Sequence, residues 1–196
     1  MAARRRAEMV EETRAKLVRA ARQAFAAKGY AAASMDDLTA EVGLTRGALY
    51  HNFGDKKGLL QAVIDQIDAE MMVQLRAVQD RAETPWAGLM DESVAYMEMA
   101  LEPEIQRVML LDGPAVLGDP SRWPNQTACL RATTRTIQSL IDDGTVEPVD
   151  AEAAARLLNG AALNASLWIA AADDPRAVFA KAVVVFHRLA EGLLRQ

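Results

Sequence analysis

Residues 34–60, SMDDLTAEVGLTRGALYHNFGDKKGLL, constrain the fold more than any other stretch, because two short amphipathic segments meet there at a glycine-centred turn. Ser34 supplies a hydroxyl that can cap a helix starting at Met35, and Asp37, three residues on, completes the pattern of a capping box. Leu38 and Val42, one turn apart, form the inner stripe, and Gly43 ends the segment because it tolerates the left-handed conformation of a helix terminus. Thr45 then caps a second helix. Helix, tight turn and helix together are the sequence form of a helix-turn-helix.

A projection at about 100° per residue separates the second helix into two sides. Leu49 and Phe53 stack inward. Gly47 and His51 point outward, Arg46 and Tyr50 lie on one flank, and Ala48 lies on the other. Such a face is small, cationic and hydrogen-bonding. Glycine allows close backbone approach to DNA, arginine can grip a guanine edge or a phosphate, and a tyrosine hydroxyl can donate to a phosphate oxygen. Two short helices with a glycine turn also occur as core motifs without a nucleic-acid partner, so the flanking charge matters. Residues 1–60 carry 11 Lys+Arg against 7 Asp+Glu, whereas the remainder carries 11 against 20. The basic balance sits at the end that holds the motif, on a chain of net charge −5, and this localises a DNA-facing surface.

The run TRAKLVRAARQAFAAKGYAAASMDDLTAEVGLTRGALYHNFGDKKGLL, residues 13–60, resembles without gaps the N-terminal domain of the TetR family of bacterial transcriptional regulators. The shared elements are Thr13-Arg14, Ala20-Ala21, Phe25, Lys28-Gly29-Tyr30, Ser34, Asp36-Asp37, Gly43, Gly47, Leu49-Tyr50, Phe53 and Lys56. Thr39 and Val42 depart from the small alanines usual there, and Asn52 stands where histidine is frequent. The resemblance implies that Thr45, Arg46, Gly47, Tyr50 and His51 line the major groove or its phosphates. It also implies that Ser34 and Lys56 anchor the second and fourth helices on the DNA backbone, although Ser34 and Thr45 could serve as caps alone.

Ahead of the motif, Leu17, Ala21, Ala24 and Phe25 recur at helical spacing from Thr13 to Lys28, and Gly29 ends that helix, completing a three-helix head. The upstream MAARRR segment places three arginines where a basic arm could follow a minor groove, or form a solvated tail. Beyond residue 60 the pattern stays helical, with no strand alternation. A long amphipathic stretch continues from Asp55, Pro85 restarts a helix carrying Trp86, Leu89, Met90, Val94 and Met97, and turn clusters are expected at Asp112-Gly113-Pro114 and Gly118-Asp119-Pro120. Residues 121–142 read as a further helix. The last two run from about Asp150 to Ala172 and from Pro175 to Leu194.

The expected architecture is all-α, with about nine helices. Residues 1–56 hold the arm and the helix-turn-helix DNA-binding domain, and a long helix joins them to a helical ligand-binding and dimerisation domain, residues 57–196. The final two helices carry alanines for close approach and more apolar surface than one neighbour need cover, which fits a homodimeric four-helix bundle, the family's usual interface. Two-fold symmetry would then present two reading helices to a double-stranded, pseudo-palindromic operator, with half-sites about 34–36 Å or a longer helical repeat apart.

A small-molecule effector is expected in the second domain, held by a pocket that includes Met90, Met97, Met109, Trp123, Asn164 and Trp168. Thioethers and aromatic walls suit a small, mainly apolar ligand. Asn164 and Asn159 are polar groups in an apolar helix that must be satisfied if buried. The functional reading is a ligand-released repressor; an activator or a ligand-independent regulator would use the same head. No enzyme is expected: His51 and His187 are the only histidines, no glycine-rich phosphate loop occurs, and no spacing marks a catalytic, metal or cofactor site. The lone Cys129 makes no internal disulfide and reads as a packing residue. No apolar run is long enough to span a membrane and no signal-peptide pattern is present, so a cytoplasmic protein is expected.

Overall fold

The computed structural model describes residues 2–195, with side chains from Glu8 onward. Arg4, Arg5 and Arg6 of the expected basic arm therefore lie outside the described side chains. Nine α-helices form the described chain: α1 (Ala2–Ala32), α2 (Met35–Glu41), α3 (Arg46–Phe53), α4 (Lys56–Gln79), α5 (Pro85–Met99), α6 (Gly113–Leu117), α7 (Pro124–Asp142), α8 (Ala151–Ala170) and α9 (Pro175–Glu191). A π-helix, Ile105–Asp112, precedes α6, and a short 3₁₀ turn, Pro120–Arg122, precedes α7.

The head forms where the spacing places it. Leu17, Ala21 and Phe25 from α1 meet Leu38 from α2 and Leu49 from α3, each at most 2% exposed. Thr39 is buried too, and its hydroxyl donates to the Met35 and Asp36 carbonyls within its own helix, so a residue larger than alanine fits without an orphaned polar atom. Gly29 ends the first helix as expected: its φ of 79° and ψ of 163° are non-helical, and a separate short helical stretch continues past this kink to Ala32. A side chain there would bring a Cβ within 2.9 Å of Arg107 Nη1, in addition to the unfavourable φ.

Asp55 caps α4 by accepting from the Gly58 amide at 2.7 Å. Leu59, Leu60, Val63, Ile64 and Ile67 of this helix are buried against both the head and the following helices, in one continuous core that reaches from Leu17 to Ala190. The head and the helical body are thus packed together, and α4 belongs to both.

The stretch around Asp112 corrects the sequence expectation. Instead of a turn at Asp112-Gly113-Pro114, the π-helix runs directly into α6, and Gly113 has helical angles of φ −53° and ψ −60°. Pro114 lacks an amide and its ring would crowd the carbonyl four residues back in an α-helix. Widening to the π form relieves that conflict, and the Gly113 amide reaches Val108 O, five residues back. Glycine is needed here for packing, because a Cβ would lie 2.8 Å from Trp123 Cη2.

Helices α8 and α9 form the expected terminal hairpin. The chain end folds back on the α7–α8 loop, where the Glu147 amide donates to Leu193 O at 2.9 Å and the Arg195 amide to Thr145 O at 3.0 Å.

Candidate functional site

The outer face of α3 carries the residues singled out by the projection. Leu49 is fully buried beneath it, while Arg46, Gly47, His51 and Tyr50 are exposed, Tyr50 by 48%. The caps that start both helices form: the Asp37 amide donates to Ser34 Oγ at 3.3 Å, and the Ala48 amide donates to Thr45 Oγ1 at 3.2 Å. Gly47 has only Thr45 Oγ1 within 4 Å of a notional Cβ, so the surface above it is open.

Three contacts shape this face beyond the sequence pattern. Arg46 Nε pairs with Asp36 Oδ1 at 2.8 Å, both side chains well exposed. An exposed pair of this kind is worth at most about 1 kcal/mol, so the guanidinium can exchange Asp36 for a phosphate or a base edge. Asn52 turns its side-chain amide back to Ala48 O at 2.7 Å, which directs it along its own helix. Arg14 Nη1 donates to Asn52 O at 3.2 Å while its guanidinium sits 4.7 Å from the Phe53 ring centroid, latching α1 to the end of α3.

Lys56 is half-buried at the start of α4. Its Nζ donates to Ala31 O at 3.3 Å and lies 4.5 Å from the Tyr30 ring centroid. Burial holds its ammonium below the usual lysine range, against the opposing pull of the Asp112 charge. Lys56 therefore ties α4 to α1 in the described chain.

The same junction reaches the π-helix. The Tyr30 amide donates to Asp112 Oδ2 at 2.7 Å. Eight residues upstream in α1, Arg22 holds Glu104 in a two-pronged pair, 2.8 Å from Nε and 2.7 Å from Nη2, and Glu70 of α4 at 2.8 Å. These partners are 82 and 48 residues away in sequence, and no local pattern marks them.

Inside the helical body, two adjoining chambers share Tyr96 and Gln126 as wall residues. One, about 50 Å³, is bordered by Leu75, Leu89 and Ala162 and by polar groups from Glu92, Cys129, Thr133 and Asn159. The other, about 20 Å³, has a more apolar wall from Met71, Ile105, Met109, Leu110, Trp123 and Leu163, together with Asp68 and Asn125. Thr133 Oγ1 donates to Asn159 Oδ1 at 3.2 Å, and Asn125 Nδ2 donates to Asp68 Oδ1 at 2.6 Å.

Of the six residues expected at a pocket, Met109 and Trp123 line a chamber. Met90 and Met97 are closed core residues that border neither chamber. Asn164 and Trp168 are corrected more sharply: both are exposed on the outer side of α8, Trp168 by 53%, because packing on α5 and α7 turns the Ala162 and Ser166 side of the helix inward. Asn159, about 140° around the helix from Asn164, faces inward instead. Exposed Leu157 and Trp168 of α8 and Val184, Val185 and Leu189 of α9 leave an apolar surface on the terminal hairpin. Among the described residues, no helix is long and apolar enough to cross a membrane, and no group of three His, Cys, Asp or Glu side chains is placed to hold a metal ion.

The chain matches two family models. Residues 17–63 match that of bacterial regulatory proteins of the tetR family, and residues 86–193 match a tetracycline repressor-like C-terminal domain. It is 32% identical over 107 residues to the HTH-type transcriptional regulator TtgR of Pseudomonas putida, covering 54% of this chain and 51% of that one. It is 30% identical over 100 residues to the HTH-type transcriptional repressor AcnR of Corynebacterium glutamicum, covering 51% and 52%. The chain thus spans about half the length of these curated relatives. A crystal structure of a TetR-family transcriptional regulator from Pectobacterium atrosepticum superposes with a TM-score of 0.88 at 49% identity, covering 96% of this chain and 97% of that one.

Proposed function

This chain belongs to the TetR family of bacterial regulatory proteins, and from that membership we propose that it is a cytoplasmic, DNA-binding transcriptional regulator: a homodimeric repressor released from a pseudo-palindromic operator by a small effector. The observation that carries this reading is the two-sided α3. Its inner residue Leu49 is wholly buried, which holds the helix rigidly, while Arg46, Gly47, Tyr50 and His51 are exposed on the outer side. Ser34 and Thr45 cap the two helices, and in this reading the same residues also meet DNA phosphates. Residues 1–56 act as the DNA-binding part and 57–196 as the effector-binding and dimerising part.

Dimerisation uses the exposed apolar side of α8 and α9, with Trp168 as its large anchor. Two heads joined in this way read two half-sites, and any change in their spacing alters affinity at both. The effector acts by population shift, and its differential affinity for the two head spacings sets the largest possible response.

The path from cavity to head is short. Met109 and Leu110 line the apolar chamber, and Asp112, at the end of the same π-helix, holds the Tyr30 amide. Asp112→Ala is expected to change effector-free operator affinity by about tenfold, about 1.4 kcal/mol, while operator sequence preference is retained. Fluorescence anisotropy on labelled operator measures this, and an unchanged affinity would remove Asp112 from the coupling path.

The function itself is tested by selecting bound sequences from random double-stranded DNA with the full chain. A dyad-symmetric consensus is expected. Failure to enrich any such site would count against a dimeric operator-binding protein.

A further inference from the structure

The two chambers carry a charge pattern that the repressor reading does not require. Asp68 of α4 and Glu92 of α5 contribute carboxylates to their walls, and no Lys, Arg or His lines either chamber. Asp68 has a neutral partner, the Asn125 amide. Arg76 acts on Glu92 from an exposed position on α4, outside the wall.

Neighbouring groups register this field. Burial pushes both carboxyls above their ordinary range. The Cys129 thiol is raised by burial and then by the charges of Glu92 and Asp68, and the Tyr96 phenol is raised by burial, then by Cys129 and Asp68. Both remain neutral donors.

An independent feature lies in the apolar chamber. Trp123 is 8% exposed and lines the wall, and its indole N–H is buried without any acceptor. A buried donor left unpaired loses its hydration without replacement, so an acceptor supplied by a bound molecule would be favoured there.

We propose that the effector is an amphipathic organic amine: a protonated nitrogen held by Glu92 and Asp68, an apolar body between Met109 and Leu163, and an oxygen that accepts from Trp123 Nε1. The assignment rests on the reading of this protein as an effector-released repressor and names the class of molecule it answers to. An anionic ligand would have to enter beside two carboxylates with no cationic side chain in either wall, and like charges at short range in a partly buried site repel strongly. At about 50 Å³ and 20 Å³ the chambers as folded hold only a few waters. Entry therefore displaces the shared partition, Tyr96 and Gln126, and merges the two spaces. The same movement presses on Met109 and Leu110 of the π-helix, whose end carries Asp112.

The test uses the full-length protein and matched sets of small molecules on three apolar bodies, phenylethyl, naphthylmethyl and n-octyl, each bearing an amine, a neutral hydroxyl or a carboxylate. Calorimetry reads binding, and operator anisotropy reads release. The amine is expected to bind at least tenfold more tightly than the hydroxyl form on one body or more, with the carboxylate weakest. Tyramine, which adds a phenolic oxygen to phenethylamine, is expected to bind several-fold better than its parent. Trp123→Phe should abolish that advantage, Glu92→Gln should cut the preference for the amine several-fold, and Glu92→Gln with Asp68→Asn should erase it while the circular dichroism melt stays cooperative.

If no body prefers the amine, or a carboxylate binds best, the proposal is overturned even where release is observed. If an amine binds as described but leaves operator affinity unchanged, the site assignment stands and the effector-released repressor falls. Wild-type selectivity decides the matter even if a substituted chain fails to fold.

Discussion

Replacing Arg46 and Tyr50 together with alanine is expected to weaken binding to the selected operator by at least about 100-fold, roughly 3 kcal/mol, without lowering the thermal stability of the protein. The two side chains leave α3 on the same flank, beside the open surface over Gly47. Tyr50 is 48% exposed, and the pair that Arg46 makes with Asp36 is exposed on both sides, so neither substitution opens a cavity. The affinity loss would therefore come from the DNA side of the equilibrium. A guanidinium that reads a guanine edge contributes about 1–3 kcal/mol of discrimination, and a phosphate contact adds sequence-independent affinity. A gel-shift titration on specific and scrambled duplexes separates the two contributions: Arg46→Ala should narrow the ratio between duplexes, whereas Tyr50→Ala should lower both affinities in parallel. Operator affinity unchanged in the double variant would sink the assignment of this face. Asp36→Asn is the informative companion, because it frees Arg46 and should strengthen binding to scrambled DNA at low salt.

Placing two negative charges on the terminal hairpin, Trp168→Glu with Leu189→Glu, is expected to convert the proposed dimer to a monomer and to reduce full-operator affinity by about 100-fold or more. Both residues are more than half exposed, at 53% and 65%, and form part of an apolar surface shared by α8 and α9. In a dimer each charge would be desolvated against apolar neighbours, which costs several kcal/mol, whereas in an isolated chain each stays in water. Once the heads are unlinked, the second half-site loses the effective concentration that the first supplies. Affinity for a single half-site should be retained. Sedimentation gives the oligomeric state, and titrations on full and half operators give the linkage. A variant that remains dimeric would place the interface elsewhere on the molecule.

The head was legible from sequence because each of its signals is local. Ser34 and Thr45 lie three residues from the amides they cap, Leu49 and Phe53 are one turn apart, and Gly43 falls where φ is +66°. Period and capping rules act over such distances. The same rules located α8 and its alanine-rich surface but did not orient it. Asn159 and Asn164 look alike in the sequence, yet one lines a chamber and the other faces outward. The π-helix was hidden for a related reason. Asp112-Gly113-Pro114 has the composition of a turn, and helical backbone persists there because Gly113 is pressed against Trp123 and Ile64.

The sequence by itself determined the all-helical class, the positions of the caps, the outward face of α3 and the concentration of basic charge near the N-terminus. Those properties depend on residues within a turn or two of one another, where geometry is dictated by the backbone. Only the tertiary structure decided which groups meet across long separations: Arg22 with Glu104, Tyr30 with Asp112, and Asp68 and Glu92 around Tyr96. Such meetings require loop closure and the packing angle of whole helices, and these are set by the combined burial of Leu60, Ile64, Met97, Val108 and Ile169 in one core. No single residue pattern carries that information.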